Sequence, residues 1–181
     1  MFKGLTKRAQ KVLTILAQEE AKHFHSTELL PEHVLLAILR SEEGSGYKLL
    51  ESLSIDLLEL KLELEKACIS KKSGFLLGDA PLSRRLKIML ETAAEEAHFL
   101  ESEYIGTEHL VLSSAREDDS VLHNFLLKNS ISYEQLKKSL QEITSSVEEQ
   151  QVRNAIQNSK YTSSGIKKLF LDDFSTDLTA L

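Results

Sequence analysis

Apolar residues recur at three- and four-residue steps along most of this chain, which is the spacing of one buried face on an α-helix. The first such run follows Thr6, a favourable N-cap residue, and continues to Ala21. Pro31 suits the first position of a second helix, where its missing N–H costs no hydrogen bond. Two further runs follow, a short one over Tyr47–Leu53 and a longer one over Ile55–Cys68. The pattern therefore predicts four helices in residues 1–70.

A connector then interrupts the pattern. Lys71–Gly74 and Gly78–Pro81 lack periodicity, and they enclose a short apolar stretch, Phe75–Leu77. The helical pattern restarts after Ser83, a second N-cap candidate, and predicts four more helices that end near Ile143.

The second half of the pattern repeats the first. His33 aligns with His109 at a shift of 76 (109 − 33), and this shift carries residues 19–64 onto residues 95–140 without a gap. The identical pairs include Glu19/Glu95, Glu20/Glu96, Ala21/Ala97, Glu32/Glu108, His33/His109, Leu36/Leu112, Arg40/Arg116 and Ile55/Ile131. Internal repeats decide the architecture of a chain. The prediction is an all-α fold of two tandem, pseudo-symmetric four-helix repeats, over residues 1–70 and 80–145.

One position breaks the register between the repeats. Thr6 reaches Ser83 only at a shift of 77 (83 − 6), so repeat one carries an extra residue between Thr6 and Glu19. A π-bulge or a longer first turn would absorb that residue without changing the faces of the helix.

The periodic pattern of apolar residues ends after Ile143. Residues 145–151 and 158–165 are polar and poorly periodic, and the segment Leu169–Phe174 is apolar again. We expect residues 146–181 to be a flexible linker that is at most partly helical.

Composition narrows the class of protein. A formal net charge of −6 argues against nucleic acid as a general partner, because an acidic chain repels phosphate backbones. The single cysteine, Cys68, excludes an internal disulfide. The start resembles no signal peptide, and no apolar run approaches the roughly 20 residues that span a bilayer. These features predict a cytoplasmic protein without membrane contacts.

Several segments resemble the Clp repeat of AAA+ Clp unfoldases, most closely those of the ClpC type. Thr6–Leu13 followed by Ala17–Ala21 resembles the opening of a repeat, and Ile105–Leu112 resembles the most distinctive motif of the family. Tyr47–Leu53 followed by Ile55 and Asp56 resembles the end of a repeat. The resemblance covers residues 1–145 in two copies.

The end of the chain adds a second resemblance. Leu171–Leu181 is similar to the segment that leads into the first ATPase module of ClpC- and ClpA-type unfoldases. No Gly-rich phosphate loop followed by Lys-Ser or Lys-Thr occurs in the sequence. We therefore expect residues 146–181 to lead toward an AAA+ module that this sequence lacks, and ATP and Mg to bind in such modules.

The resemblance implies an eight-helix N-terminal domain that recruits adaptor proteins and marked protein substrates. It implies that an ATP-driven ring then unfolds these substrates and threads them into the Clp peptidase, which binds through the missing modules. For this chain itself we predict no cofactor and no catalytic residue. The alternative is a stand-alone accessory subunit that docks on the Clp peptidase ring. Continuation of the gene into an ATPase would favour the first interpretation, and a natural stop after Leu181 the second.

The resemblance also implies phosphoarginine pockets, one in each repeat. It carries Thr6 with Glu32 into one pocket and Ser83 with Glu108 into the other. A phosphate favours the free N–H groups and positive dipole of a helix start, and a guanidinium favours a carboxylate that accepts paired hydrogen bonds. Basic side chains beside the helix starts add positive charge: Lys7, Arg8, Arg84 and Arg85. The alternative is that all four residues only cap helices and complement helix dipoles.

Two histidines invite a metal or catalytic interpretation. His33 and His109 each follow a glutamate at the start of a helix, but zinc needs about four convergent ligands and the spacing matches no usual pattern. We expect both rings to be packed and hydrogen-bonded between helices, and we predict no metal site. A helical hydrolase or metal enzyme is the third hypothesis for this chain.

Overall fold

The computed structural model describes residues 4–69 and 73–179, with side chains as far as residue 159, and every regular element in it is a helix. Helix α1 has three contiguous segments, an α-helical Lys7–Lys11, a π-helical Val12–Leu16 and an α-helical Ala17–His23. Helices α2, α3 and α4 span Pro31–Ser41, Ser45–Ser52 and Leu57–Ile69. Helices α5 to α8 span Arg84–Phe99, Thr107–Arg116, Val121–Lys128 and Tyr133–Thr179. Eight helices within the described residues confirm the predicted all-α class with two four-helix repeats.

The π-helical segment of α1 accounts for the register shift between the repeats. Ala17 donates its backbone N–H to the carbonyl of Val12, five residues earlier, so one turn holds an extra residue. Val12 and Leu13 are buried in this turn. The extra residue keeps the faces on both sides in register with α5, which has no such turn, and the predicted π-bulge is confirmed.

Helices α2 and α6 form the centre of the fold. Every residue from Pro31 to Leu39 is buried, and so is every residue from Thr107 to Ala115 except Glu108. Each helix is wrapped by the other helices of its repeat, and large side chains that are almost fully buried fill the space between them: Leu13, Leu35, Leu36, Ile38, Leu49, Leu50, Leu60, Leu64, Leu86, Met89 and Leu110. Burial on all sides of a helix is the pattern expected for a core helix.

The same ion pair, between a buried glutamate and a partly exposed arginine, occurs in each repeat. Arg40 Nε lies 2.7 Å from Glu20 Oε1, and Arg116 Nη1 lies 3.2 Å from Glu96 Oε1. Burial raises the pKa of the Glu20 carboxyl, and the charge of Arg40 opposes that rise. These residues are identical pairs in the repeat alignment, so the repetition reflects one conserved contact between the first and second helix of each repeat.

The two repeats meet at a close approach between α3 and α6. The buried Gly46 donates its backbone N–H to Thr107 Oγ1 at 2.9 Å. A Cβ atom at position 46 would lie 2.8 Å from the Thr107 carbonyl oxygen, so a side chain there would force the two helices apart. Residues up to Leu140, including both repeats, form one compact unit.

A buried amide fastens the connector between the repeats. Gln18 Nε2 donates to the Ala80 carbonyl at 2.9 Å, and Ala80 N–H donates back to Gln18 Oε1 at 2.8 Å. The apolar stretch before it is exposed, with Phe75 at 88% and Leu77 at 90%. The first residues of the predicted connector, 70–72, lie outside the described residues.

Residues 141–181 form a second unit, which as far as Thr179 continues the helix that begins at Tyr133. The expectation that residues 146–181 are at most partly helical was wrong as far as Thr179. Residues 146–179 contain no proline and a single glycine, Gly165, so few residues in this segment oppose a helix. The domain boundary at residue 145 and the mobility of the linker stay predictions, and residues 180 and 181 lie outside the described residues.

None of the helices in the described residues combines the length and the apolar composition needed to cross a membrane.

Candidate functional site

The start of α5 lies beside the start of α2. Leu29 and Leu82 form a parallel β-bridge, in which Leu29 N–H donates to the Pro81 carbonyl at 2.8 Å and Ser83 N–H donates to the Leu29 carbonyl at 3.0 Å. The Ser83 hydroxyl then caps α5 by accepting the Leu86 N–H at 3.1 Å. Because Glu32 follows Leu29 by three residues, this bridge brings the Ser83 cap next to Glu32. We call this pair the Ser83–Glu32 site.

The start of α1 lies in the same way beside the start of α6. Leu5 and Ile105 form a parallel β-bridge, in which Ile105 N–H donates to the Gly4 carbonyl at 2.7 Å and Thr6 N–H donates to the Ile105 carbonyl at 2.9 Å. The Thr6 hydroxyl caps α1 by accepting the Ala9 N–H at 3.1 Å. Glu108 follows Ile105 by three residues, and we call this second pair the Thr6–Glu108 site.

The pairing of caps and glutamates therefore crosses between the repeats. The expected pairs were Thr6 with Glu32 and Ser83 with Glu108, each inside one repeat. The β-bridges instead join Ser83 to the segment that precedes Glu32, and Thr6 to the segment that precedes Glu108. The physical reason is that the extended residues before each first helix bind the extended residues before the second helix of the other repeat. The four candidate positions thus form two pairs that differ from those expected.

At the Ser83–Glu32 site the carboxylate is buried and already has a cationic partner. Glu32 is 4% exposed in its side chain, and its Oε1 accepts a hydrogen bond from Arg85 Nη1 at 2.8 Å. Arg85 Nε also lies 3.5 Å from Glu117 Oε1. Oε2 of Glu32 and Oε2 of Glu117 are buried without a hydrogen-bond partner among the described residues.

At the Thr6–Glu108 site the carboxylate is more open. Glu108 is 20% exposed in its side chain, and no lysine or arginine of the described residues lies within 4.0 Å of it. Its carboxylate folds back over Gly106, where an added Cβ atom would collide with both of its oxygens. Repeat one has Leu30 at the position aligned with Gly106, so the side chain of Glu32 is excluded from the same conformation.

The arginine that aligns with Arg85 has a different partner. Arg8 corresponds to Arg85 at the shift of 77 (85 − 8), yet its Nη1 lies 2.6 Å from Glu43 Oε2 and both side chains are largely exposed. Arg8 and Thr107 both border Gly44, because both would contact a Cβ atom added there. Arg8 thus lies near the start of α6 without pairing with Glu108.

The two histidines cap the helices that carry the glutamates. His33 Nδ1 accepts the Leu30 N–H and His109 Nδ1 accepts the Gly106 N–H, both at 2.9 Å, so each ring bonds the start of its own helix rather than a neighbouring helix. Burial lowers the pKa of His33 to about 4 and also lowers that of His109, although a neighbouring glutamate opposes each shift. The expectation of buried, hydrogen-bonded rings is confirmed, but the expectation that these hydrogen bonds join two helices was wrong. In the part of the chain that the structure describes, no cluster of three or more metal-ligating side chains occurs.

Arg85 was predicted only as a source of positive charge beside the helix start, and Glu117 was not predicted at all. Arg85 forms salt bridges with Glu32 and Glu117, which lie 53 and 32 residues away in the chain (85 − 32 and 117 − 85). The alignment of Arg85 with Arg8 marks both arginines as parts of the repeat, and this was the available signal.

The fold consists of a four-helix unit and its duplicate, and the extended residues before the first helix of each unit pair with those before the second helix of the other unit. These features define the protein as a helical repeat domain with two candidate sites between its repeats. The chain belongs to the Clp repeat (R) N-terminal domain family, which it matches over residues 4–130 and 82–172.

Relatives of known identity agree with this family. The chain is 33% identical over its whole length to the ATP-dependent Clp protease ATP-binding subunit ClpA homolog of Cyanidium caldarium, covering 20% of that protein. It is also 33% identical over its whole length to the chloroplastic chaperone protein ClpC1 of Arabidopsis thaliana, covering 19% of it. The chain thus spans about a fifth of the length of these relatives.

Solved structures show the same fold. The N-terminal domain of the chaperone ClpD from Arabidopsis thaliana superposes with a TM-score of 0.60 at 19% identity, over 80% of this chain and 97% of that one. The Hsp104 N-terminal domain from Candida albicans gives a TM-score of 0.65 at 17% identity, over 78% of this chain and 92% of that one.

Proposed function

We propose that this chain is the recruiting domain of an ATP-dependent Clp unfoldase, and that it binds proteins marked by phosphoarginine. The observation that carries the proposal is the Thr6–Glu108 site, where a capped helix start lies beside a carboxylate that no lysine or arginine of the described residues occupies. Both halves of a phosphorylated arginine have a matching group there, one cationic and one anionic.

The helix start supplies the phosphate half of the site. The first N–H groups of a helix have no partner inside the helix and carry the positive end of its dipole, so they attract anions. Thr6 uses its hydroxyl on the Ala9 N–H, which leaves the N–H groups of Lys7 and Arg8, the first two of the helix, without a partner inside the helix. The side chains of Lys7 and Arg8 add positive charge in a chain whose net charge is −6.

The carboxylate supplies the guanidinium half. Glu108 is partly buried, so a hydrogen-bonded ion pair there is less screened by solvent than one on the open surface. Its conformation depends on the absence of a side chain at Gly106. A partly buried carboxylate with both oxygens available fits the planar donor fork of a guanidinium.

Calorimetric titration of the chain with phosphoarginine tests the proposal, with arginine plus inorganic phosphate as the ligand control. We expect saturable binding that Glu108→Gln weakens about tenfold to a hundredfold, since a hydrogen bond to a charged group contributes about 1.5–3 kcal/mol. Glu91→Gln, an equal change at an exposed position of α5, is the matched control and should leave binding intact.

Absence of phosphoarginine binding at millimolar ligand would contradict the phosphoarginine part of the proposal. Thr6 and Glu108 would then only cap a helix start and complement a helix dipole.

The wider role rests on the family and on relatives of five times this length. In this proposal the domain delivers adaptors and substrates to ATPase modules, which bind ATP and Mg, and through them to the Clp peptidase, in the service of protein quality control. The chain itself is proposed to lack catalytic activity. A cytoplasmic location stays a prediction, because relatives such as the Arabidopsis protein are chloroplastic.

Capture of protein substrates can be measured directly. The immobilised chain should retain an arginine-phosphorylated model protein and release it on addition of free phosphoarginine, while the dephosphorylated protein should pass through. Equal retention of both forms would mean that recruitment uses another surface than the Thr6–Glu108 site.

A further inference from the structure

The Ser83–Glu32 site already holds a guanidinium, and that group belongs to the chain itself. Arg85 donates from Nη1 to Glu32 Oε1 at 2.8 Å, and Arg85 is 30% exposed while Glu32 is 4% exposed. Arg85 therefore lies between a buried carboxylate and the solvent. A second guanidinium that aligns with both oxygens of Glu32 must displace Arg85, because Arg85 already donates to Oε1.

The internal pairing leaves acceptors unused. Arg85 makes one hydrogen bond with Glu32, and Oε2 of Glu32 and Oε2 of Glu117 are buried without a hydrogen-bond partner among the described residues. A guanidinium aligned with a carboxylate can bond both oxygens in parallel. Arg85 thus bonds only one oxygen of the Glu32 carboxylate. A guanidinium that bonds both oxygens is therefore favoured to replace Arg85.

The second site supplies the comparison. Arg8, the repeat equivalent of Arg85, pairs with Glu43 at 2.6 Å, and Glu108 is left without a cationic partner. The two sites of one chain are therefore in different states, one closed by its own arginine and one open. This difference arises inside a single sequence, so the open site serves as a reference for the closed one.

We infer that Arg85 is the specificity-determining residue of the Ser83–Glu32 site, closing Glu32 to unmodified arginine and yielding it to phosphorylated arginine. The inference rests on the proposed function. A phosphorylated side chain brings a guanidinium for Glu32 and a phosphate for the start of α5, and the released Arg85 pairs with that phosphate. Unmodified arginine would displace Arg85 from Glu32 without offering it a new partner, so that Arg85 would keep only Glu117. No covalent bond changes in this exchange.

The test isolates this site by placing all variants in a Glu108→Gln background. Two short peptides of the same sequence, one with a phosphoarginine and one with arginine, are titrated by NMR. We expect the background protein to bind only the phosphorylated peptide. Adding Arg85→Gln should tighten arginine-peptide binding at least about tenfold and reduce the preference for the phosphorylated peptide by a similar factor. Lys87→Gln, which removes the same charge from an exposed position of the same helix, should change neither value.

A side-chain signal reports the exchange itself. The Arg85 Nε–H resonance should shift when the phosphorylated peptide saturates the site, because its partner changes from glutamates to phosphate. An unchanged Arg85 resonance at saturation would overturn the inference, and so would an unchanged peptide preference in Arg85→Gln or an equal effect of Lys87→Gln.

Failure of the proposed function looks different. In that case the wild-type chain would bind no phosphorylated peptide at either site, while Arg85→Gln would still gain affinity for the arginine peptide if Arg85 closes Glu32. Absence of that gain would overturn the inference whatever the phosphorylated peptide does.

Discussion

At the scale of single residues, equivalent positions of the two repeats have the same identity and different surroundings. Glu32 is bonded to Arg85 and nearly closed to solvent, whereas Glu108 folds over Gly106 and stays accessible. One substitution in the repeat, Leu30 in place of glycine, separates the two conformations. Sequence identity between repeats therefore does not predict equal binding by the two sites.

His33 should make the stability of the fold depend on pH. Its pKa is about 4 in the folded chain against 6.5 as the ordinary value, so the unfolded chain binds a proton first as the pH falls. The contribution is fully present above pH 6.5 and is lost as the pH falls toward 4, amounting to about 3 kcal/mol. Protonation of Nδ1 would also break its bond with the Leu30 N–H.

Urea denaturation at several pH values measures this loss. His33→Gln keeps a side-chain acceptor for the helix start and removes the titration, so its free energy of unfolding should fall less steeply between pH 6.5 and 4. His109 has a lowered pKa as well, so a residual slope remains. Parallel curves for the variant and the wild type would show that His33 does not carry the dependence.

At the scale of elements, α1 and α5, the first helices of the two repeats, bury equivalent faces but contain different numbers of residues. Helix α1 includes a π-helical turn at Val12–Leu16, and α5 is α-helical from Arg84 to Phe99. Caps, starts and the extra residue were predictable because they depend on local spacing. The helix beyond residue 145 was missed because residues 146–159 are all exposed, and a segment without a buried face leaves no periodic signal.

Deleting Thr14 should convert the π-helical turn into regular α-helix. Thr14 is exposed, and its removal leaves the faces on both sides in register, as in α5. We expect the variant to fold with a thermal midpoint within about 3 °C of the wild type, equivalent to roughly 1 kcal/mol for a chain of this size. Calorimetry measures it.

Deleting Glu91 is the matched control, because Glu91 is exposed and aligns with Thr14 at the shift of 77 (91 − 14). Helix α5 has no extra residue to lose, so this deletion rotates the following buried face by about 100° and should abolish cooperative unfolding. Similar damage from both deletions would mean that the π-helical turn is not the spare residue.

At the scale of the whole molecule, the repeats are held together by contacts that also build the sites. The sequence predicted the repeats and the four candidate residues, but it could not predict which cap meets which glutamate. That choice depends on the exchange of extended segments between repeats, through residues such as Leu5 and Leu29 that carry no distinctive chemistry. Tertiary pairing of this kind has no local pattern in the sequence.

Gly46→Ala should weaken the contact between the repeats. The new Cβ atom would lie 2.8 Å from the backbone oxygen of Thr107, which cannot move independently of α6. We expect a loss of about 1–3 kcal/mol in the free energy of unfolding, despite the better helix propensity of alanine. Ser45→Ala, at the exposed neighbouring position, gains the propensity without the clash and should not destabilise. Equal stability of the two variants would argue against tight packing at Gly46.

The two β-bridges between the repeats have a consequence for how such a domain can be built. Leu5 corresponds to Leu82 (82 − 5 = 77) and Leu29 corresponds to Ile105 (105 − 29 = 76), so the two bridges are copies of one contact made in both directions. Reciprocal contacts of this kind are the mark of a twofold, isologous dimer. The chain is thus organised as a covalently joined homodimer, and a protein with one such repeat could assemble either site only by associating with a second copy of itself.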